Sequence, residues 1–211
     1  MDASILNQII CRMSANRPFF YSEADFQHNL ANELRIAGYT VYLEYQVCGF
    51  HIDIIIEDDG RYYPLELKYK TSLTKCPDLF MNATTLRNHG ASDIARFLFW
   101  RDVYRIEQIK PMAREIIPEG YVVMLTNDKK LWTPKVQKGI DRKFELFTSH
   151  QINTVEWLNT ADAPDYKTGN TWYKAFSLSK TYSVPAWNNY SNVSFVANIK
   201  KAYFKFLTIT V

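Results

Sequence analysis

Three charged residues stand inside an otherwise apolar stretch, His51 to Tyr69 (HIDIIIEDDGRYYPLELKY), and their types and spacing suit a site for a divalent cation: Asp53, Glu66 and Lys68. Between them lies Asp59-Gly60, a two-residue turn signal that demands positive φ, and the flanking runs rich in Ile, Tyr and Leu complete the signature of a β-hairpin. Pairing Asp58 with Arg61 sets a register in which Asp53 falls opposite Glu66 and Lys68 opposite His51. Directly opposed Cβ atoms lie roughly 4.5 to 5.5 Å apart, and two carboxylates at that distance repel unless something cationic sits between them. Magnesium, which binds one or two carboxylates and keeps several waters, answers that need. Lys68, two residues beyond Glu66, shares its face and is placed to hold one of those waters.

A plainer reading stands beside this one. Acids on a strand can face solvent, Glu-x-Lys arises by chance, and Lys68 can serve as an ordinary ion-pair partner. Ile55, Tyr62 and Pro64 accompany the charges on their face, while Ile52, Ile54, Ile56, Leu65, Leu67 and Tyr69 make the other face apolar. The hairpin alone divides evenly between a solvated face and a metal site.

The elements that must position these residues are legible on either side. Residues 4–15 carry Ile5, Leu6, Ile9, Ile10 and Met13 at helical spacing. Ser22 with Asp25 three residues on is a capping-box pattern, and the helix it opens runs to about Ala37, ahead of Gly38. Phe26, Gln27, Leu30, Leu34 and Ala37 form its buried face, with Glu23 near the middle. Glu23 either complements the helix dipole or adds a third acid to the ion site. Tyr39–Val47 alternates as a strand, with Glu44 an outward acid or a further ligand. Residues 92–109 form a helix capped by Ser92 and apolar nearly all round, and Tyr121–Thr126 a buried strand. The segment between, 69–91, reads as a long loop of the kind that often serves function. FELF (144–147), WYKAFSLS (172–179) and FKFLTITV (204–211) read as strands, and PAWNNYSNVSF (185–195) as a loop.

Composition bounds the partners. The chain has 211 residues, 47% hydrophobic, enough for one domain with a real core. A net charge of +3 permits a nucleic-acid partner without demanding one. The charge concentrates between Lys129 and Lys143, where six basic residues face one acid, either a solvated loop or a phosphate-contacting surface. Three widely spaced cysteines, Cys11, Cys48 and Cys76, argue against a zinc site or a disulfide framework. No signal-peptide pattern and no long apolar run is present, so the expectation is a cytoplasmic protein with no membrane partner.

The order helix with an acid, strand, strand with Ile-Asp, turn, strand with Glu-Leu-Lys, helix, strand resembles the PD-(D/E)XK nuclease superfamily, which includes many restriction endonucleases. The resemblance rests on Ile52-Asp53, Glu66-Leu67-Lys68 and Glu23 after Ser22, and covers about residues 20–130. Ile52 stands where the name-giving motif has proline. The resemblance implies an α/β fold with a restriction-endonuclease-like core, a central mixed β-sheet flanked by helices in the order αβββαβ. A β-rich extension over 143–211 would belong to the same single domain, 1–211. It implies further that Asp53, Glu66 and Glu23 hold Mg²⁺, with Mn²⁺ as substitute, and that Lys68 orients the attacking water. The activity implied is endonucleolytic hydrolysis of double-stranded DNA, with a homodimer by analogy to enzymes that cut both strands. The alternatives are a non-catalytic nucleic-acid-binding module and an assembly subunit with the same fold.

Overall fold

The structure, a computed structural model, describes residues 1–77, 83–134, 139–159, 173–193 and 202–211. In chain order the elements are α1 (Ala3–Asn16), α2 (Glu23–Ile36), β1 (Thr40–Val47), β2 (Phe50–Asp58), β3 (Arg61–Lys70), β4 (Thr74–Pro77), β5 (Ala83–Leu86), α3 (Ser92–Ile109), β6 (Tyr121–Thr126), β7 (Gln151–Val155), β8 (Phe176–Ser183), β9 (Asn188–Val193) and β10 (Ala202–Thr210). Six strands form one mixed sheet in the order β1-β2-β3-β6-β10-β9. Among the described residues the one parallel pair is β3 and β6, joined by the crossover through α3.

Local chemistry accounts for the first half. Asp59 and Gly60 have φ of 50° and 73°, the two positive values of a type I′ turn, and Asp58 pairs with Arg61. Ser22 caps α2 by accepting from Asp25 N, and Asp2 caps α1 by accepting from Ile5 N. Leu6, Ile9 and Ile10 of α1 and Phe26, Leu30 and Leu34 of α2 cover one face of the sheet, against Ile54, Leu65, Leu67, Val123 and Phe206. The other face, with Val122, Met124, Leu207 and Ile209, is covered by Phe97, Trp100, Val103 and Ile106 of α3. The hairpin of β7 and β8 packs over α3 in turn, which is why that helix is apolar nearly all round. No described helix is long and apolar enough to cross a membrane.

Several sequence expectations are corrected here. Ser92 is the first residue of α3 and Ala91 its N-cap, with no side-chain cap bond. FELF forms no strand: Trp100 and Trp187 indoles donate to the carbonyls of Phe144 and Leu146, so those acceptors are taken without a ladder. Asn188–Val193, read as loop, is the edge strand β9. It needs apolar contact only through residues such as Tyr190, whose hydroxyl donates to Arg17 O, and it pairs on one side with β10. The WYKAFSLS strand begins only at Phe176, and the start of that run lies outside the described residues. The expected 69–91 loop begins as β3, which runs to Lys70, and contains the β4–β5 pair, with 78–82 outside the described residues.

Gly120 seats the sheet against α3, exchanging hydrogen bonds with Val211. A Cβ there would stand 2.5 Å from Ile106 Cγ2 and 3.1 Å from Pro64 O. Gly120→Ala is therefore expected to destabilise by about 1–3 kcal/mol through overpacking. The measurement is a lowered urea midpoint at unchanged m, and an unchanged midpoint would show that the contact relaxes freely.

Candidate active site

The site forms where β2 leaves β3. The β2–β3 ladder runs from Asp58–Arg61 to Ile54–Leu65 and stops one pair short of Asp53 and Glu66. On its other side, β1 skips the Glu44–Asp53 pair, and Glu44 lies at φ 49°, a left-handed conformation that non-glycine residues adopt at a cost. Gln27 of α2 braces this kink, its Nε2 donating to Asp53 O at 2.7 Å and to Glu44 Oε1 at 2.6 Å. Beyond it the strand has turned: Ile52 packs with Ile55, Ile109 and Ile117, not with Ile54 and Ile56 as strict alternation predicted. The ladder ends before His51 and Lys68 would meet, so that expected pairing does not form.

Losing its partner leaves N–H groups along the edge of β3, and two acids take them. Asp53 Oδ2 accepts from Leu67 N at 2.6 Å, and Glu23 Oε2 accepts from Tyr69 N at 2.7 Å. Two side chains thus continue the ladder that β2 abandons, on the period of two that aims alternate N–H groups to one side. Glu23 as a whole is exposed, yet its carboxylate reaches inward to this edge.

Glu66 lies deeper, 1% exposed, with Arg105 Nη1 3.1 Å from its Oε1. Arg105 also approaches Asp102 Oδ1 at 3.3 Å and donates to His51 O. Asp102 in turn pairs with Lys68, Nζ to Oδ2 at 2.6 Å. Two residues of α3 that the sequence reading passed over therefore complete the site. Their signal was present: Asp102 and Arg105 are opposite charges at i and i+3 of one helix, and so share one face.

Burial dominates the electrostatics. Glu66 is pushed from an ordinary 4.5 up to about 9 by burial and then by the Asp102 and Asp53 carboxylates, against which Arg105 and Lys68 pull only part of the way back. Burial also raises Asp53, despite the Leu67 N–H, and raises Glu23, despite Lys68. Lys68 runs the other way: burial pulls it down, but Asp102, Glu23 and Asp53 outweigh that and hold it above an ordinary lysine. Glu66 is thereby held toward its protonated form, with the Asp53 carboxylate among the charges that raise it.

Glu23, Asp53 and Glu66 do not form a three-ligand set, and among the described residues no group of three or more His, Cys, Asp or Glu is arranged to hold a metal ion. The residues do fit a two-carboxylate site. Asp53 and Glu66 converge, and buried Glu66 Oε1 and Asp102 Oδ2, although each touches a cation, lack a hydrogen-bond partner. Hard oxygen donors of this number suit an ion that keeps most of its waters. Comparison of the chain with family models, with curated proteins and with solved structures finds no match.

Proposed function

We propose that this chain is a divalent-metal-dependent nuclease of restriction-endonuclease-like fold, hydrolysing phosphodiester bonds in DNA. The observation that carries the reading is the gathering of Asp53, Glu66 and Lys68 where β2 and β3 part, with Asp53 Oδ2 on Leu67 N between Glu66 and Lys68. Asp53 and Glu66 are the side chains that would hold Mg²⁺, or Mn²⁺ in its place, with Glu23 at the rim. Bound there, the ion would supply Lewis-acid polarisation of a phosphate oxygen and a more acidic water. Lys68 remains charged at any working pH and stabilises negative charge gathering near Asp53. Asp102 fixes the Lys68 ammonium at 2.6 Å and so acts as a positioning residue. The free thiols Cys11, Cys48 and Cys76 accord with a cytoplasmic location.

The test is cleavage of plasmid by purified protein in magnesium. Asp53→Asn and Lys68→Ala are each expected to cut at least about a hundredfold more slowly, the scale of a lost catalytic group. Equal cutting by wild type and both variants would overturn the reading.

One observation favours a second reading, a binding module that cuts nothing: Asp53 and Glu23 each have a structural task in capping β3, and Glu66 already faces Arg105. A magnesium titration separates the two. The nuclease shows a rise in thermal stability with magnesium that Asp53→Asn abolishes, and the binding module shows none.

A further inference from the structure

A groove of about 1250 Å³ opens at the end of the sheet where β3 and β6 finish. Its walls are the segment after β3, the segment leading into α3 with that helix's first turn, the segment after β6 and the start of β10. That exceeds the volume of an ordinary small-molecule pocket and suits a length of polymer. Four lysines line it, Lys75, Lys129, Lys130 and Lys205, and none pairs with an acid among the described residues. Of the two acids in the wall, Asp128 is already neutralised by Lys70 at 3.1 Å, leaving Asp93. Two of these lysines, Lys129 and Lys130, belong to the basic run noted in the sequence.

Aromatic side chains share the groove. Tyr203 is 53% exposed at its edge, and Lys205 Nζ stands 5.7 Å from the centre of the Trp132 ring. Lysines that neutralise phosphates, interleaved with an exposed ring, are the two components of a single-strand track, because only an unpaired base presents its π-face for stacking. A duplex offers phosphates to the lysines but nothing to Tyr203.

We infer that this groove binds an unpaired nucleic-acid strand, its phosphates along the four lysines and a base on Tyr203, and leads it to the carboxylate site. Ser72, at the groove wall, is four residues beyond Lys68, roughly 13 Å along an extended chain. The delivery rests on the nuclease reading, and it narrows the substrate from plain duplex to DNA or RNA with an unpaired segment.

The experiment is fluorescence anisotropy of the whole chain with labelled single strands of DNA and of RNA and with the matching DNA duplex, in EDTA and over a range of salt. Four contacted phosphates predict a log–log salt slope of about −2.8 for a single strand. Lys129→Gln/Lys130→Gln, both exposed positions, should roughly halve that slope and weaken binding more than about tenfold. Tyr203→Ala should weaken it about five- to tenfold with the slope unchanged. Either sugar satisfies the inference, and the tighter of the two identifies the strand. Duplex bound as tightly as single strand, or variants that bind as wild type, would overturn it. Single-strand binding by this groove without any magnesium-dependent cutting keeps the inference and removes the nuclease reading; cutting that the groove variants leave untouched does the reverse.

Discussion

Raising the pH from about 5 to about 9 without divalent ions is expected to cost the folded protein roughly 3–6 kcal/mol, and Glu66→Gln to remove most of that loss. The folded chain holds the Glu66 proton up to about pH 9, whereas the unfolded chain releases it near 4.5. Between those values the native state binds more protons than the unfolded one, so stability falls as pH rises, by up to about 1.4 kcal/mol per pH unit. The stability is fully present below the unfolded value and is lost on the way up through the folded one. Asp53 and Glu23, both raised, contribute with the same sign. The groups that set Glu66 are Asp53 on β2, Lys68 on β3, and Asp102 and Arg105 on α3. Urea denaturation at a series of pH values measures the slope. A wild type as flat as Glu66→Gln would mean that the carboxyl is ionised in the fold. Magnesium should reverse the trend, stabilising wild type more at pH 9 than at pH 6, because an ion prefers the deprotonated site.

The second large effect concerns Arg96 and Asp141, whose side chains are 1% and 0% exposed and meet at 2.5 Å. Arg96 also donates to Lys130 O, so one guanidinium ties α3 to both ends of the segment 130–141, which carries three of the six residues of the basic run. Arg96→Leu strips the buried carboxylate of its guanidinium and is expected to destabilise by about 3–5 kcal/mol. For a chain of this size that lowers Tm by roughly 6–20 °C. The double variant Arg96→Leu/Asp141→Leu should recover most of the loss, since a buried ion pair and a packed apolar pair differ little. The exposed Lys143–Glu156 pair, with side chains 49% and 40% exposed, gives the contrast: its removal should change stability by no more than about 1 kcal/mol. Equal effects at the two pairs would show that burial does not set the strength of Arg96–Asp141.

The sequence by itself determined the elements whose signals are local. The Asp59-Gly60 turn and its register, the apolar stripes of α1 and α2, the bounds of α3 and the run of β6 all follow from periodicity and turn chemistry within a few residues. So does the placing of Asp53 and Glu66 on facing strands, because a two-residue turn leaves the ladder only one register. Tertiary structure alone decided where that ladder would end. The kink at Glu44, the Gln27 brace and the departure of β2 from β3 depend on helix α2 pressing on the sheet, and no local pattern encodes it. Asp102, Arg105 and Arg96, the buried partner of Asp141, come from α3, whose many apolar residues masked its charges. They become interpretable only once the β3–α3–β6 crossover lays that helix over the carboxylates. The edge strand β9 likewise exists because β10 offers it a row of partners, and its own polar residues carry little strand signal. Short-range stereochemistry set the shape of each element, and the low dielectric formed where three of them meet set the protonation and partners of the acids at Asp53 and Glu66.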